Sequence, residues 1–390
     1  MARVPLDLSN LRLETRLAHA GRDRTRSEGA VNPPVQRATT LLMDDVDDLY
    51  GDAKKTYGID GMAVQDALRD ALVAVEGGAG ATLTPSGLSA CTLALLTVAH
   101  AGGEMLVTDA LYAPTRRFCE TALKRFGVRT TYIDPHIGAG VADVIGDQTC
   151  GVFLESPGTH TFEVMNVPAI AAAARARGVP VILDNTWSAG VYFKPFDHGV
   201  DVSVQALTKY QSGHADAFVG AVLAATPEWD ARVNAVYKQL GLFVSPDDCY
   251  LLLRGLRTLA VRLERQSASA LVIARWLEKR PEIVRVLHPA LASHPDHALW
   301  KRDFTGASGV FAVELKPVSD GRVRAMLKSL RLFAMGFSWG GYESLIVPSG
   351  KDIRRAVSKL PKGALLRFSI GLEHPDDLIG DLEQAFAQLA

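Results

Sequence analysis

From position 62 onward, apolar side chains recur at helical spacing. Val64, Ala67, Leu68, Ala71, Leu72 and Val75 share one face, and Gly77–Gly78 ends the run. A short strand follows at Ala81–Thr84, then the turn Pro85-Ser86-Gly87 and an apolar helix from Leu88 to about His100. The alternation continues with strand Met105–Thr108, a helix opened by Pro114 and running to Phe126, and strands Thr130–Ile133 and Gly151–Leu154. A helix opened by Pro168 leads into strand Val179–Leu183, and strands Val202–Ala206 and Phe218–Ala224 follow. Apolar strands alternating with helices predict an α/β domain whose mostly parallel sheet is covered on both faces.

Beyond about 250 the pattern changes. A long helical repeat covers roughly 247–280. Strand-like segments at Val284–Leu287, Gly309–Leu315, Leu332–Met335 and Leu365–Ile370 then mix with helices, the last from Pro375. This predicts a smaller α+β unit. Residues 1–60 lack periodicity and hold Pro33–Pro34 and the acidic stretch Asp44, Asp45, Asp47, Asp48, read as a solvated face near a helix start. The expected division is therefore 1–60, 61–250 and 251–390.

Composition narrows the function classes. Hydrophobic residues make up 48% and charged residues 22% of 390, enough for a large core without disulfide or metal support. Lys and Arg number 42 against 43 Asp and Glu, so a sequence-wide basic field for nucleic acid is not expected and an anion must be held locally. Cys91, Cys119, Cys150 and Cys249 form no CxxC pair, which argues against zinc or a disulfide framework and reads as small core residues. The N-terminal stretch carries charges throughout. The longest apolar run, near Leu93–Ala101, falls short of the roughly 20 residues of a membrane span. A cytoplasmic protein is expected, with no metal, nucleic acid or membrane partner. His294-Pro295-Asp296-His297 holds ligand residue types but reads as a surface loop.

Candidate chemistry lies past the carboxyl ends of the strands, where α/β sheets bind ligands. Ser86-Gly87-Leu88 opens a helix with free N–H groups, a weak anion-site signal. Glu155-Ser156-Pro157-Gly158 follows one strand and reads equally as a plain loop. Asp184-Asn185-Thr186 follows the next, and Thr208-Lys209-Tyr210 follows the one after. A lysine ending a buried strand must reach water, pair with an acid or be tied to a ligand. Taken together, a lysine and an aspartate on neighbouring strand ends, facing a glycine-led helix start, fit pyridoxal phosphate (PLP). The lysine takes the aldehyde, the aspartate keeps the ring nitrogen protonated, and the helix start with Thr208 holds the phosphate.

Specific segments extend this. Leu154-Glu155-Ser156-Pro157-Gly158, Asp184-Asn185-Thr186-Trp187, Gln205-Ala206-Leu207-Thr208-Lys209-Tyr210 with Gly213-His214, and Phe337-Ser338-Trp339-Gly340-Gly341-Tyr342-Glu343-Ser344 resemble the Cys/Met-metabolism family of PLP enzymes over nearly the whole chain. The resemblance implies fold type I, with a mostly parallel seven-stranded sheet in the large domain. It implies Lys209 as the Schiff-base lysine, Asp184 as the pyridinium partner and Tyr112 as the ring that stacks on the cofactor. Gly87, Leu88 and Thr208 become phosphate ligands, and Arg367 holds the substrate α-carboxylate. Tyr57 becomes a residue that reaches a neighbouring subunit's site, in a homotetramer built from dimers.

Two details favour a β-lyase of a thioether amino acid such as cystathionine. Gln-Ala-x-Thr-Lys lacks the serine that γ-acting relatives usually carry before the lysine, and Ser338-Trp339 stands where they usually have Ser-Leu. One feature departs from the family: the phosphate-binding arginine of Tyr-x-Arg is replaced in Tyr57-Gly58-Ile59, leaving Lys54, Lys55 and Arg37 as candidate cations. Phe337 stands where the β-lyases of the family that this chain resembles have a tyrosine, so a hydroxyl contact is not expected there. Chemistry at Cγ, broader cysteine-conjugate lysis and a non-enzymatic binding protein stay open as alternatives.

Overall fold

The computed structural model describes residues 6–51, 54–350 and 353–389. Its large sheet contains β1 (Gly80–Thr84), β2 (Glu104–Thr108), β3 (Arg129–Ile133), β4 (Thr149–Glu155), β5 (Val181–Asp184), β6 (Val202–Gln205) and β7 (Gly220–Ala224), in the order β1-β7-β6-β5-β4-β2-β3. The four pairings among β2 to β6 are parallel; β7 runs antiparallel to both β1 and β6. β2, β5, β6 and β7 are buried along their whole length. That explains their unbroken apolar character, since helices cover both faces of the sheet.

Helix Ala63–Glu76 buries the periodic face read from the sequence, and it stops at Gly77, whose φ of 99° suits glycine. Helix Gly87–Val98 is nearly apolar all round and packs under the sheet. The segment after Pro114 is not one α-helix. It runs Ala113–Phe118 and then widens into a π-turn over Cys119–Leu123, where the Thr121 hydroxyl bonds back to the Arg117 carbonyl at 2.6 Å. Helix Pro227–Leu240, too polar for the hydrophobic pattern to single out, is capped by Thr226 with proline in its first turn.

The repeat at 247–280 breaks into Pro246–Leu256 and Leu259–Leu277. At the break, Arg262 donates to the Gly255 carbonyl at 2.8 Å and to the Tyr210 carbonyl at 2.6 Å. A second sheet follows, β8 (Ile283–Leu287), β9 (Val310–Leu315), β10 (Leu345–Pro348) and β11 (Leu365–Ser369), antiparallel throughout in the order β10-β11-β9-β8. Phe311 and Phe368 stack at 5.4 Å within its core.

Two further expectations are corrected. Leu332–Met335 is not a strand: the Asp381 carboxylate takes the N–H groups of Arg331, Leu332 and Phe333 at 2.8–3.1 Å, which removes them from any ladder. Only Ala334 forms a bridge, to Leu345, and the strand is β10. His294 to His297 is not a surface loop: His294 and Asp296 are buried, and Asp296 accepts from Val164 N–H at 2.9 Å and pairs with His136 at 3.0 Å. Among the described residues no helix is long and apolar enough to cross a membrane.

Candidate active site

Parallel strands deliver their carboxyl ends to one edge. There Glu155 at the end of β4 and Asp184 at the end of β5 are register partners, and Asp184 pairs with Val204 of β6. The Thr186 hydroxyl donates to Asp184 Oδ1 at 2.6 Å, and the Thr186 N–H donates to the same oxygen at 3.1 Å. That hydroxyl accepts from Ala206 N–H at 2.9 Å, so one threonine fastens the aspartate to the turn that carries Lys209. Beneath this turn, the buried Glu76 carboxylate accepts from Ser203 at 2.5 Å, Asn185 at 2.8 Å and Gln205 at 3.0 Å. A satisfied buried network of this kind holds the strand ends rigidly.

Lys209 Nζ donates to Ser338 Oγ at 2.7 Å and lies 5.4 Å from the centre of the Trp339 ring. Trp339 packs edge-on against Tyr210 at 5.3 Å. Arg367 on β11 donates to the Ser338 carbonyl at 2.9 Å. Ser338 therefore joins the lysine of the large sheet to the arginine of the small one. It does so with φ of 78°, a left-handed conformation that a serine adopts at some cost. Gly340 lies so close beneath that a Cβ there would stand 2.9 Å from Tyr210 N and 3.0 Å from Lys209 C.

Helix Gly87–Val98 opens beside the same turn: a Cβ on Gly87 would meet Ala206 Cβ at 2.5 Å. Ser86 caps the N–H of Ser89 at 3.1 Å, while among the described residues the N–H groups of Gly87 and Leu88 make no hydrogen bond. Thr208 sits in the adjoining turn, half-buried. Tyr112 heads the helix after β2, and its N–H donates to Glu155 Oε2 at 2.7 Å.

The charges are tuned by burial. Burial, aided by the positive charge of Arg367 and opposed by Asp184, lowers Lys209 to about 8. Burial raises the Asp184 carboxyl against the hydrogen bonds of Thr186. Burial and then the Asp184 charge push Glu155 up to about 8. His160, in the loop after β4, is lowered to about 3 by burial and by Arg367 and Arg355, so it is neutral.

Tyr57 stands apart from this cluster within one chain. Its backbone bridges Thr40, its ring is half exposed, and no hydrogen bond joins it to Lys209 among the described residues. The three cations considered for the missing arginine are each engaged: Arg37 with Asp247, Lys54 with Asp48, and Lys55 with Asp66. His214 bonds its own turn at Ser212 O, 2.7 Å away. Sequence reading did not single out Thr186, nor the contact from Cys91 Sγ to Asp184 Oδ2 at 3.6 Å, because both roles depend on which strand ends become neighbours.

The family model described as Cys/Met metabolism PLP-dependent enzyme matches residues 14–387. The chain belongs to this family. Cystathionine beta-lyase MetC of Escherichia coli (strain K12) is 41% identical over 401 residues, covering 98% of this chain and 100% of that protein. Cystathionine beta-lyase of Haemophilus influenzae is 39% identical over 391 residues, covering 97% and 98%. The solved structure of cystathionine gamma synthase from Xanthomonas oryzae pv. oryzae superposes with a TM-score of 0.90 at 31% identity, covering 97% of this chain and 98% of that one.

The family is PLP-dependent, the fold is type I, and the site's own features fit that cofactor. Asp184 is buried with no ion pair among the described residues, and its Oδ2 is met only by a thiol, which suits a protonated ring nitrogen. The two free N–H groups at Gly87 and Leu88 suit a phosphate at a helix start. Lys209 follows Ala206, whose N–H is bonded to Thr186 on the aspartate side and whose Cβ faces Gly87 at the helix start.

Proposed function

We propose that this chain is a carbon–sulfur β-lyase that cleaves L-cystathionine by α,β-elimination, giving homocysteine, pyruvate and ammonia with the uptake of one water. The observation that carries the reading is the bridge Lys209–Ser338–Arg367 beneath Trp339. It sets a proton-accepting amine beside a guanidinium fork and narrows the space beyond with an indole.

PLP, when bound, supplies the electron sink for charge left at Cα. In this reading Lys209 joins the cofactor, Asp184 partners its ring nitrogen, the Tyr112 ring stacks on it, and Gly87, Leu88 and Thr208 hold its phosphate. Arg367 binds the substrate α-carboxylate in a bidentate pair, which aims the Cα–H bond at Lys209. With a pKa near 8, Lys209 Nζ is partly unprotonated at neutral pH and can take the Cα proton. The same nitrogen then delivers a proton to the departing sulfur. Ser338 steadies Lys209 between these transfers, and Trp339 shapes the wall against the distal arm of the substrate.

Residues 1–60 form an arm by which Tyr57 completes the site of a neighbouring subunit, in a homotetramer built from dimers. Residues 61–250 and 251–390 form the cofactor domain and the smaller domain. The place of action is the cytoplasm, a reading supported by four free cysteines, three of them buried. The deciding experiment is product identification from L-cystathionine. Pyruvate is expected; 2-oxobutyrate would place the cleavage at Cγ and overturn the reading.

A further inference from the structure

Glu155 is left unused by the mechanism above, although it is a buried carboxyl lying directly beside Asp184. The two are register partners on adjoining parallel strands, so their side chains leave the sheet at the same level. Glu155 is 8% exposed and Asp184 is 9% exposed. Among the described residues Glu155 has two hydrogen-bond partners, one on each oxygen: the Tyr112 N–H on Oε2 at 2.7 Å, and the Thr159 hydroxyl on Oε1. Thr159 N–H in turn donates to Ala110 O at 3.0 Å, so the acid ties the loop after β4 to the loop after β2 that carries Tyr112.

We propose that Glu155 is a positioning residue of this active site: through the Tyr112 N–H it fixes where the Tyr112 ring stands, and it links that position to Asp184 on the neighbouring strand.

The surroundings say in which state it works. Asp184 and Glu155 face each other, Cys91 and Tyr112 lie on the same side, and Arg355 is the nearby cation, itself engaged with Asp109 O, Thr161 and Glu163. Two adjoining buried carboxyls do not both ionise readily, and burial with the Asp184 charge pushes Glu155 up to about 8. At neutral pH Glu155 therefore keeps its proton. A protonated Glu155 can donate to the Thr159 hydroxyl, which accepts as well as donates, and its other oxygen still takes the Tyr112 N–H. Above about pH 8 Glu155 ionises, which adds a negative charge beside Asp184 and so favours the protonated form of the group that Asp184 would partner.

The inference rests on the proposed reading of the site, and the test separates the two. Glu155→Gln and Glu155→Ala are purified as holoenzymes, and the visible absorbance of bound cofactor is titrated from pH 6 to 10 alongside kcat and KM. Glu155→Gln keeps an acceptor for Tyr112 and removes the titrating charge. Its kcat at pH 7 stays within about threefold of wild type, and the midpoint of its absorbance titration falls by about half a pH unit. Glu155→Ala leaves the Tyr112 N–H without a buried partner. It loses about tenfold or more in kcat with cofactor still bound, and Glu155→Gln recovers that loss. An absorbance midpoint unmoved in Glu155→Gln, or a Glu155→Ala enzyme with wild-type kcat, overturns the inference. A wild-type protein with no cofactor band overturns the reading of the site instead.

Discussion

Gly340 offers a clean measure of how tightly the lysine is held. Its φ of 82° is left-handed, and an alanine there costs about 1–2 kcal/mol in backbone conformation alone. The new Cβ would also stand 2.9 Å from Tyr210 N, 3.0 Å from Lys209 C and 3.3 Å from Lys209 Cα. Ordinary contacts begin near 3.4 Å, so the two backbones must part by roughly half an ångström in a close-packed interior. Tyr210 is fully buried, and its carbonyl and hydroxyl are both engaged, by Arg262 and by Gly309 N–H, so it cannot yield easily. The strain therefore falls on Lys209 and on the Ser338–Trp339 segment. Misplacing a catalytic group by about 1 Å can cost about a hundredfold, so half that distance predicts a loss of about tenfold in kcat for Gly340→Ala. The assay is steady-state pyruvate formation on folded, cofactor-loaded protein. Gly336→Ala is the control in the same loop: among the described residues its Cβ would meet only Leu345 side-chain atoms, at 3.4 Å and beyond, and activity should stay within about twofold. A Gly340→Ala enzyme with unchanged kcat would show that the Lys209 position tolerates this displacement, and would refute the reasoning.

Lys209→Ala should abolish turnover and the visible absorbance of the cofactor; an active, yellow variant would contradict its assigned role. Arg367→Lys keeps the charge but loses the planar fork and the bond to Ser338 O, so KM should rise about tenfold or more while kcat falls less, as read from saturation curves. Burial alone would raise the Asp109 carboxyl, but the N–H groups of Ser358, Val357 and Ala356 together with Arg116 outweigh it and hold the group at about 2. A depressed carboxylate stabilises the fold above its unfolded pKa and loses that contribution as pH falls through the folded one. The wild-type protein should therefore lose stability in urea melts from about pH 4 down to about pH 2, and Asp109→Asn should weaken that slope.

Much of the architecture was readable because it follows from local repetition. The six apolar positions from Val64 to Val75 mark one helix face, and all six are buried. The strand alternation predicted a parallel sheet, and with it the edge where Asp184 and Lys209 meet. The failures share a cause. Leu332–Met335 is apolar enough for a strand, yet a carboxylate almost fifty positions away takes its N–H groups. His294 and Asp296 look like loop residues but are buried, with the Asp296 carboxylate held by His136 and Val164 N–H. The pattern over 247–280 is continuous, and the break is secured by a group outside it, the Tyr210 carbonyl that Arg262 reaches.

By itself the sequence determined which residue types were available and the order in which they leave the sheet, because side-chain periodicity and strand ends are properties of the local chain. Set beside the family it resembles, it also carries Ile59 where that family commonly has a phosphate-binding arginine. Only the tertiary structure decided which groups touch. It set Ser338 between Lys209 and Arg367, and it made Thr186 the clasp between Asp184 and the lysine turn. It also laid Glu155 against Asp184 and Tyr112. Those contacts fix burial and charge separation, and these in turn set whether a lysine titrates near 8 or a glutamic acid keeps its proton, which residue identity alone cannot do.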